Sequence, residues 1–201
     1  MTKKALYAPL AAFALLLPAA SAQTVPIAAG RTSIVLNTNT LSVLSGLNLQ
    51  VSVGGAGRLI GNTLAFPITV GAVDAATLKT EIFHAGALNI QLGGLIKGST
   101  LTLANFTIDT TGAKPQLSAL AVVNNSVLGR INVFDLNLPS GVTLPVTPAG
   151  NALIDLPQVG VSLSQDGSAA LNKVFGITAF SAGIPIGTAR VQALIDPEAI
   201  P

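Results

Sequence analysis

The chain has 201 residues with ten Lys or Arg, eight Asp or Glu, one His and no Cys. Lys3 and Lys4 carry the whole positive excess and the other basic residues stand singly; no basic patch for nucleic-acid phosphates exists, and no thiolate nucleophile, thiolate metal ligand or disulfide is available. From Gln23 onward Met, Trp and Tyr are also absent, which argues against the Trp/Tyr platforms that anchor sugars and many protein interfaces.

Met1-Thr2-Lys3-Lys4, the apolar run Ala5–Ala20 and the small-residue site Ala20-Ser21-Ala22 match a cleavable secretory signal peptide over residues 1–22. The run is broken by Pro9 and Pro18 and is shorter than the roughly 20 residues a spanning helix needs. Residues 23–201 then suffice for one domain with its own core. The expected location is extracytoplasmic: secreted, periplasmic or at the cell surface, with no membrane span after cleavage.

Short segments rich in Val, Ile, Leu and Thr follow, separated by Gly, Pro, Asn and Asp, the rhythm of an all-β sandwich or barrel. Strands are expected at Ser33–Leu36, Leu47–Val53, Leu64–Val70, Leu78–Phe83, Ala87–Leu92, Thr100–Leu103, Gln116–Val123, Leu128–Leu138, Val161–Ser164 and Thr188–Ile195. Leu47–Val53 alternates apolar and polar residues, as a half-buried strand does. In Gly129–Leu138 the apolar phase switches from Ile131 and Val133 to Phe134, Leu136 and Leu138. A one-residue slip of that kind predicts a β-bulge at Val133-Phe134. Ile34–Leu44 and Val161–Leu171 resemble one another: strand, polar break suited to a helix N-cap, then a short helix turning Leu44 or Leu171 inward. Each leads into an apolar segment, Leu47–Val53 or Phe175–Phe180, read as the next strand. The fold class is therefore all-β, an antiparallel β-sandwich or partly open barrel with two short helices.

Few residues can carry chemistry. Gly55-Ala56-Gly57-Arg58-Leu59-Ile60-Gly61 has one residue too many for a dinucleotide loop and precedes no helix; it reads as a hairpin turn. His84 is the sole histidine. Glu81 stands three residues before it, a spacing that shares a face in a helix but puts the two on opposite faces of a strand. A zinc site would have to be completed by carboxylates alone, so no metal ligand is assigned and a hydrogen-bonded structural histidine is expected. A serine hydrolase would use His84 as base, yet no G-x-S-x-G elbow is present. Paired acids for glycoside hydrolysis would come from Asp74, Glu81, Asp109, Asp135, Asp155 or Asp166, which spacing alone does not pair. No catalytic residue is assigned.

Four segments carry a resemblance: Phe66-Pro67-Ile68-Thr69-Val70-Gly71-Ala72-Val73-Asp74, Ile82-Phe83-His84-Ala85-Gly86-Ala87-Leu88, Leu101-Thr102-Leu103-Ala104-Asn105-Phe106-Thr107-Ile108-Asp109 and Leu117-Ser118-Ala119-Leu120. Over residues 62–123 the chain resembles the HtaA-like domain family of bacterial secreted and surface proteins. The resemblance implies a β scaffold and, in the best-known members, haem held by an axial tyrosine with a supporting histidine. Of that pair only His84 has a counterpart here, and Ala87 stands at a family glycine position. Haem iron needs a strong axial donor, so the resemblance implies the scaffold more than the ligand. Three readings result. The first is a non-enzymatic secreted or cell-envelope protein acting by binding or surface interaction. The second is a carrier of haem or another small apolar ligand, using His84 and a cavity lined by Phe66, Phe83, Phe106 and Phe134. The third is a serine hydrolase with a triad assembled only in space. The expected partner is accordingly a cell-envelope protein or a small apolar ligand, with no resident cofactor in the first reading.

Overall fold

In the computed structural model the described residues are 24–74, 77, 79–93, 98–140 and 153–195; the expected signal peptide and Leu78 lie outside them. Alternation of buried and exposed positions builds most of the strands, β1 (Thr24–Leu36), β2 (Leu49–Gly54), β3 (Arg58–Ile60), β4 (Thr63–Asp74), β5 (Thr80–His84), β6 (Ala87–Leu92), β7 (Thr100–Asp109), β8 (Gln116–Val123), β9 (Ser126–Asn137), β10 (Leu153–Leu163) and β11 (Pro185–Ile195). All pairings are antiparallel, in the order β1-β4-β5-β7-β8-β9-β10-β11, and β11 returns to β1. The expected β class is thus a barrel, and it is closed rather than partly open. β6 continues the sheet beyond β5 along the first half of β7, β2 pairs with β6, and β3 pairs with the start of β4.

Inward-pointing side chains form the barrel core, in an eight-stranded interior wide enough for side chains or one small ligand. Leu101, Leu103, Ala119, Ala121, Val159, Val161, Leu163 and Ala193 are almost wholly buried. On β5 the pattern puts Thr80, Ile82 and His84 inside and Glu81 and Phe83 outside. The expected bulge is present: Leu117 opposes Phe134 and Ser118 opposes Asn132, leaving Val133 as the extra residue. Both Val133 and Phe134 can therefore face the core, where they are buried. A second irregularity lies in β7 between Ala104 and Thr107, at Asn105 with φ 51°. There β7 passes from β6 to β5, and the Gly86 carbonyl accepts from Asn105 N–H at 3.3 Å.

The two helices, α1 (Thr38–Gly46) and α2 (Gln165–Phe175), follow β1 and β10 as the paired motifs predict. Asn37 Oδ1 accepts from Thr40 N–H at 2.7 Å, and Ser164 Oγ accepts from Gly167 N–H at 2.9 Å, so each helix has a polar N-cap. Leu36 is opposite Gly187 and Ser162 opposite Pro185, so both helices leave the same end of the barrel, beside the start of β11. Leu171 and Phe175 are buried and Leu44 packs on the core.

One expectation is corrected and another is refined. Phe175–Phe180 is not a strand: α2 runs to Phe175, Gly176 caps it in the left-handed conformation at φ 65°, and Ile177–Phe180 form a loop. The apolar residues of that loop cover the barrel end instead of alternating along a sheet; Phe180 is buried, its carbonyl and N–H bonded by the Asn172 amide at 2.8 and 3.1 Å. The Gly55-Ala56 segment is a turn, with Gly57 N–H donating to Gly54 O at 3.2 Å. It joins β2 to β3, which pair with different neighbours, so the expected hairpin is closed at the other end of the Gly55–Gly61 motif, by Gly61 and Asn62 between β3 and β4.

Candidate functional site

His84 ends β5 with its ring inside the barrel, under α1 and α2. β1 and β5 are separated in the wall by β4, where Phe66 pairs with Thr32 and Ile68 with His84. Their side chains nevertheless meet inside: Thr32 Oγ1 lies 2.7 Å from His84 Nε2, and Phe106 O lies 3.3 Å from Nδ1. A backbone carbonyl only accepts, so Nδ1 carries the proton and Nε2 accepts from the Thr32 hydroxyl. Burial pulls the His84 pKa down to about 4, against the opposing pull of the Phe106 and Ile82 carbonyls. The ring is neutral at pH 7 with both nitrogens engaged.

Above His84 lies an apolar cavity of about 70 Å³ bounded by Phe66, Phe106, Phe134, Leu163, Leu171 and Phe180. Phe66 and Phe106 stack at a tilt, with ring centroids 4.8 Å apart. Of the four expected Phe residues, Phe83 is excluded: the alternation that turns Ile82 and His84 inward leaves Phe83 38% exposed on the outer face. Phe180, read from sequence as strand, takes its place in the lining.

The other candidate groups stay apart from His84. Glu81 faces outward from the same strand. Glu81 and Asp109, which spacing alone did not pair, are directly opposed across β5 and β7. Hydrogen bonds from the Thr111 hydroxyl and N–H hold the Asp109 carboxyl below its usual range, the reverse of what a general acid needs. Among the described residues no three His, Asp or Glu side chains gather where they could hold a metal.

Thr32 is the residue that sequence reasoning missed. The expected strand began at Ser33, one residue short, although Thr32, Ile34 and Leu36 fall on one face by the period of two.

No protein-family model matches the sequence, and no curated protein matches it significantly. Solved structures do. The C-terminal domain of HtaA from Corynebacterium glutamicum superposes with a TM-score of 0.65 at 21% identity, over 86% of this chain and 99% of that one. The fold is that of the HtaA domains. The N-terminal HtaA domain from the same organism matches with a TM-score of 0.60 at 15% identity, over 84% of this chain and 99% of that one. A domain-swapped dimer of a histidine-to-alanine variant of the C-terminal HtaA domain matches at 0.55 and 22% identity, over 79% and 91% of the two chains. The likeness thus extends well beyond residues 62–123, to 86% of the chain.

The haem that an HtaA-like domain implies does not fit the residues at His84. The cavity there, about 70 Å³, is well below the ~300–1,000 Å³ of usual ligand pockets. The lone pair of Nε2 already accepts from Thr32, and the chain's single tyrosine is Tyr7, inside the expected signal peptide.

Proposed function

We propose that the protein is a non-enzymatic secreted or envelope-located binding protein on an HtaA-type barrel, acting by contact rather than by chemistry. The state of His84 carries this reading. A histidine base for hydrolysis needs a hydroxyl that substrate can reach, a carboxylate to orient the ring and a pKa near the working pH; the hydroxyl on His84 is that of buried Thr32, its other nitrogen meets the Phe106 carbonyl, and its pKa is pulled down to about 4. The same engagement weighs against His84 as an iron ligand, and the fold match to HtaA domains over 84–86% of this chain supports binding as the general role.

The mature chain, titrated with haemin, is expected to give no Soret shift at stoichiometric haem, and a fluorophosphonate probe is expected to label no serine. Immobilised protein is expected to retain an envelope component at micromolar concentration. A Soret shift in the wild type that disappears in His84→Ala would overturn the reading in favour of haem carriage; serine labelling would overturn it in favour of hydrolysis.

A further inference from the structure

The opposite end of the barrel holds a larger space. Its rim is the ends of β4, β7 and β9 and the starts of β5, β8 and β10, and it is divided from the His84 cavity by Thr32, Ile34 and Leu117, which line both. The cavity measures about 430 Å³. Well-packed interiors leave few voids larger than a water molecule, whereas apolar cavities of even ~150 Å³ stay dry and admit small apolar molecules. This one falls within the ~300–1,000 Å³ range of ligand pockets.

Its lining differs from that of the helix-covered end. Among the described residues no aromatic side chain borders it; Ile82, Ile108, Leu136, Leu156, Val159 and Val191 form the walls. The hydroxyls near the rim are already used: Thr80 Oγ1 donates to Ala72 O at 2.7 Å, and Thr110 Oγ1 accepts from Thr80 N–H at 2.8 Å. A mostly apolar wall whose rim hydroxyls are engaged favours hydrocarbon over polar groups placed within it. Among the described residues one charged side chain borders the space, Lys79, exposed at the rim. Its ammonium donates to the Thr111 carbonyl at 3.2 Å, which leaves two of its three donors for another acceptor.

We infer that this barrel end is a binding site for a free fatty acid, the acyl chain running between Val159, Val191 and Ile82 and the carboxylate meeting Lys79 at the rim. The inference goes beyond the binding role proposed above and concerns the other end of the barrel, so failure of one leaves the other standing.

Titration of the mature chain with laurate, followed by calorimetry and by methyl resonances, tests it. Saturable one-to-one binding is expected, with shifts at the methyls of Ile82, Val159 and Val191 and none at Leu171. Lys79→Gln is expected to weaken laurate roughly tenfold while leaving dodecanol, the same chain without the charge, nearly unchanged. Val191→Phe is expected to abolish binding of both. No saturable binding, or shifts confined to the helix-covered end, would overturn the site. Equal loss of laurate and dodecanol in Lys79→Gln would overturn the carboxylate assignment, and tighter binding of lysophosphatidylcholine than of laurate would overturn the choice of a free acid. Should Val191→Phe fail to fold, the wild-type methyl map decides alone.

Discussion

At the scale of single residues, His84 is where burial, hydrogen bonding and charge meet. The folded ring resists protonation down to about pH 4, while the unfolded chain takes up a proton near the ordinary 6.5. Above pH 6.5 neither form is charged and this group adds no pH dependence. Between 6.5 and 4 only the unfolded chain binds the proton, so stability falls as pH falls. Integrated over that window the loss is about 3 kcal/mol. Urea unfolding of the wild type and of His84→Leu at pH 7, 5.5 and 4 checks it. The variant is expected to be weaker at pH 7 by about 1–3 kcal/mol, because the Thr32 hydroxyl and Phe106 carbonyl lose their buried partner, and to converge on the wild type as the medium is acidified. Carboxylates such as Asp109 titrate in both proteins and cancel in the difference; parallel curves would show that His84 is not the source. The inward direction of this ring was legible in sequence because Ile82 and His84 share a strand face. Its partner was not, since Thr32 lies two strands away and nothing local marks their meeting inside the barrel.

Among the elements, the helices show how far a local signal reaches. Both N-caps and the bulge at Val133 were readable because each depends on a few adjacent residues: a polar side chain before a helix, a one-step change of apolar phase. The segment after α2 was misread because Phe175, Ile177 and Phe180 are as apolar as a strand, and only the barrel end they cover makes a loop of them. The two caps are not equivalent. Ser164 is 2% exposed; its hydroxyl accepts from Gly167 N–H and donates to Asn132 O at 2.7 Å, tying α2 to β9. Asn37 caps α1, none of whose residues is buried, and its amide donates to Pro185 O at 2.8 Å near solvent. Ser164→Ala therefore removes a cap and leaves buried backbone groups unpaired, an expected cost of about 2–3 kcal/mol. Asn37→Ala is expected to cost about 1 kcal/mol. Equilibrium denaturation followed by far-ultraviolet dichroism ranks the two; a larger loss for Asn37→Ala would contradict this account of how the helices are held.

For the molecule as a whole, alternation tells that each strand has a buried face but not which strand covers it, so sandwich and barrel read alike. Closure is decided by the β7–β8 and β1–β11 seams, and by irregularities that bend the strands between them, including the shift between Ile27 and Ala29 in β1. For the same reason the large cavity at the far end left no trace in the sequence: a filled barrel and a hollow one share the same apolar pattern. Gly30 follows the β1 irregularity and tests the closed form. Its φ is +145°, and a Cβ there would lie 2.2 Å from Gln192 O and 2.9 Å from Ala193 Cα on β11. The overlap is with backbone on the neighbouring strand, which a rotamer change cannot relieve. Gly61 also has positive φ, +60°, but a Cβ there meets nothing within 4 Å. Gly61→Ala is expected to cost about 1–2 kcal/mol, the strain of a left-handed alanine alone. Gly30→Ala adds the clash to comparable strain and is expected to cost at least about 3 kcal/mol. Because a closed barrel has no edge strand in which damage could be confined, amide exchange in Gly30→Ala should accelerate on β8, across the barrel, as well as on β1 and β11. Exchange that quickens on β1 and β11 while β8 keeps its protection would mean that the seam opens by itself and that the strands do not form one cooperative wall.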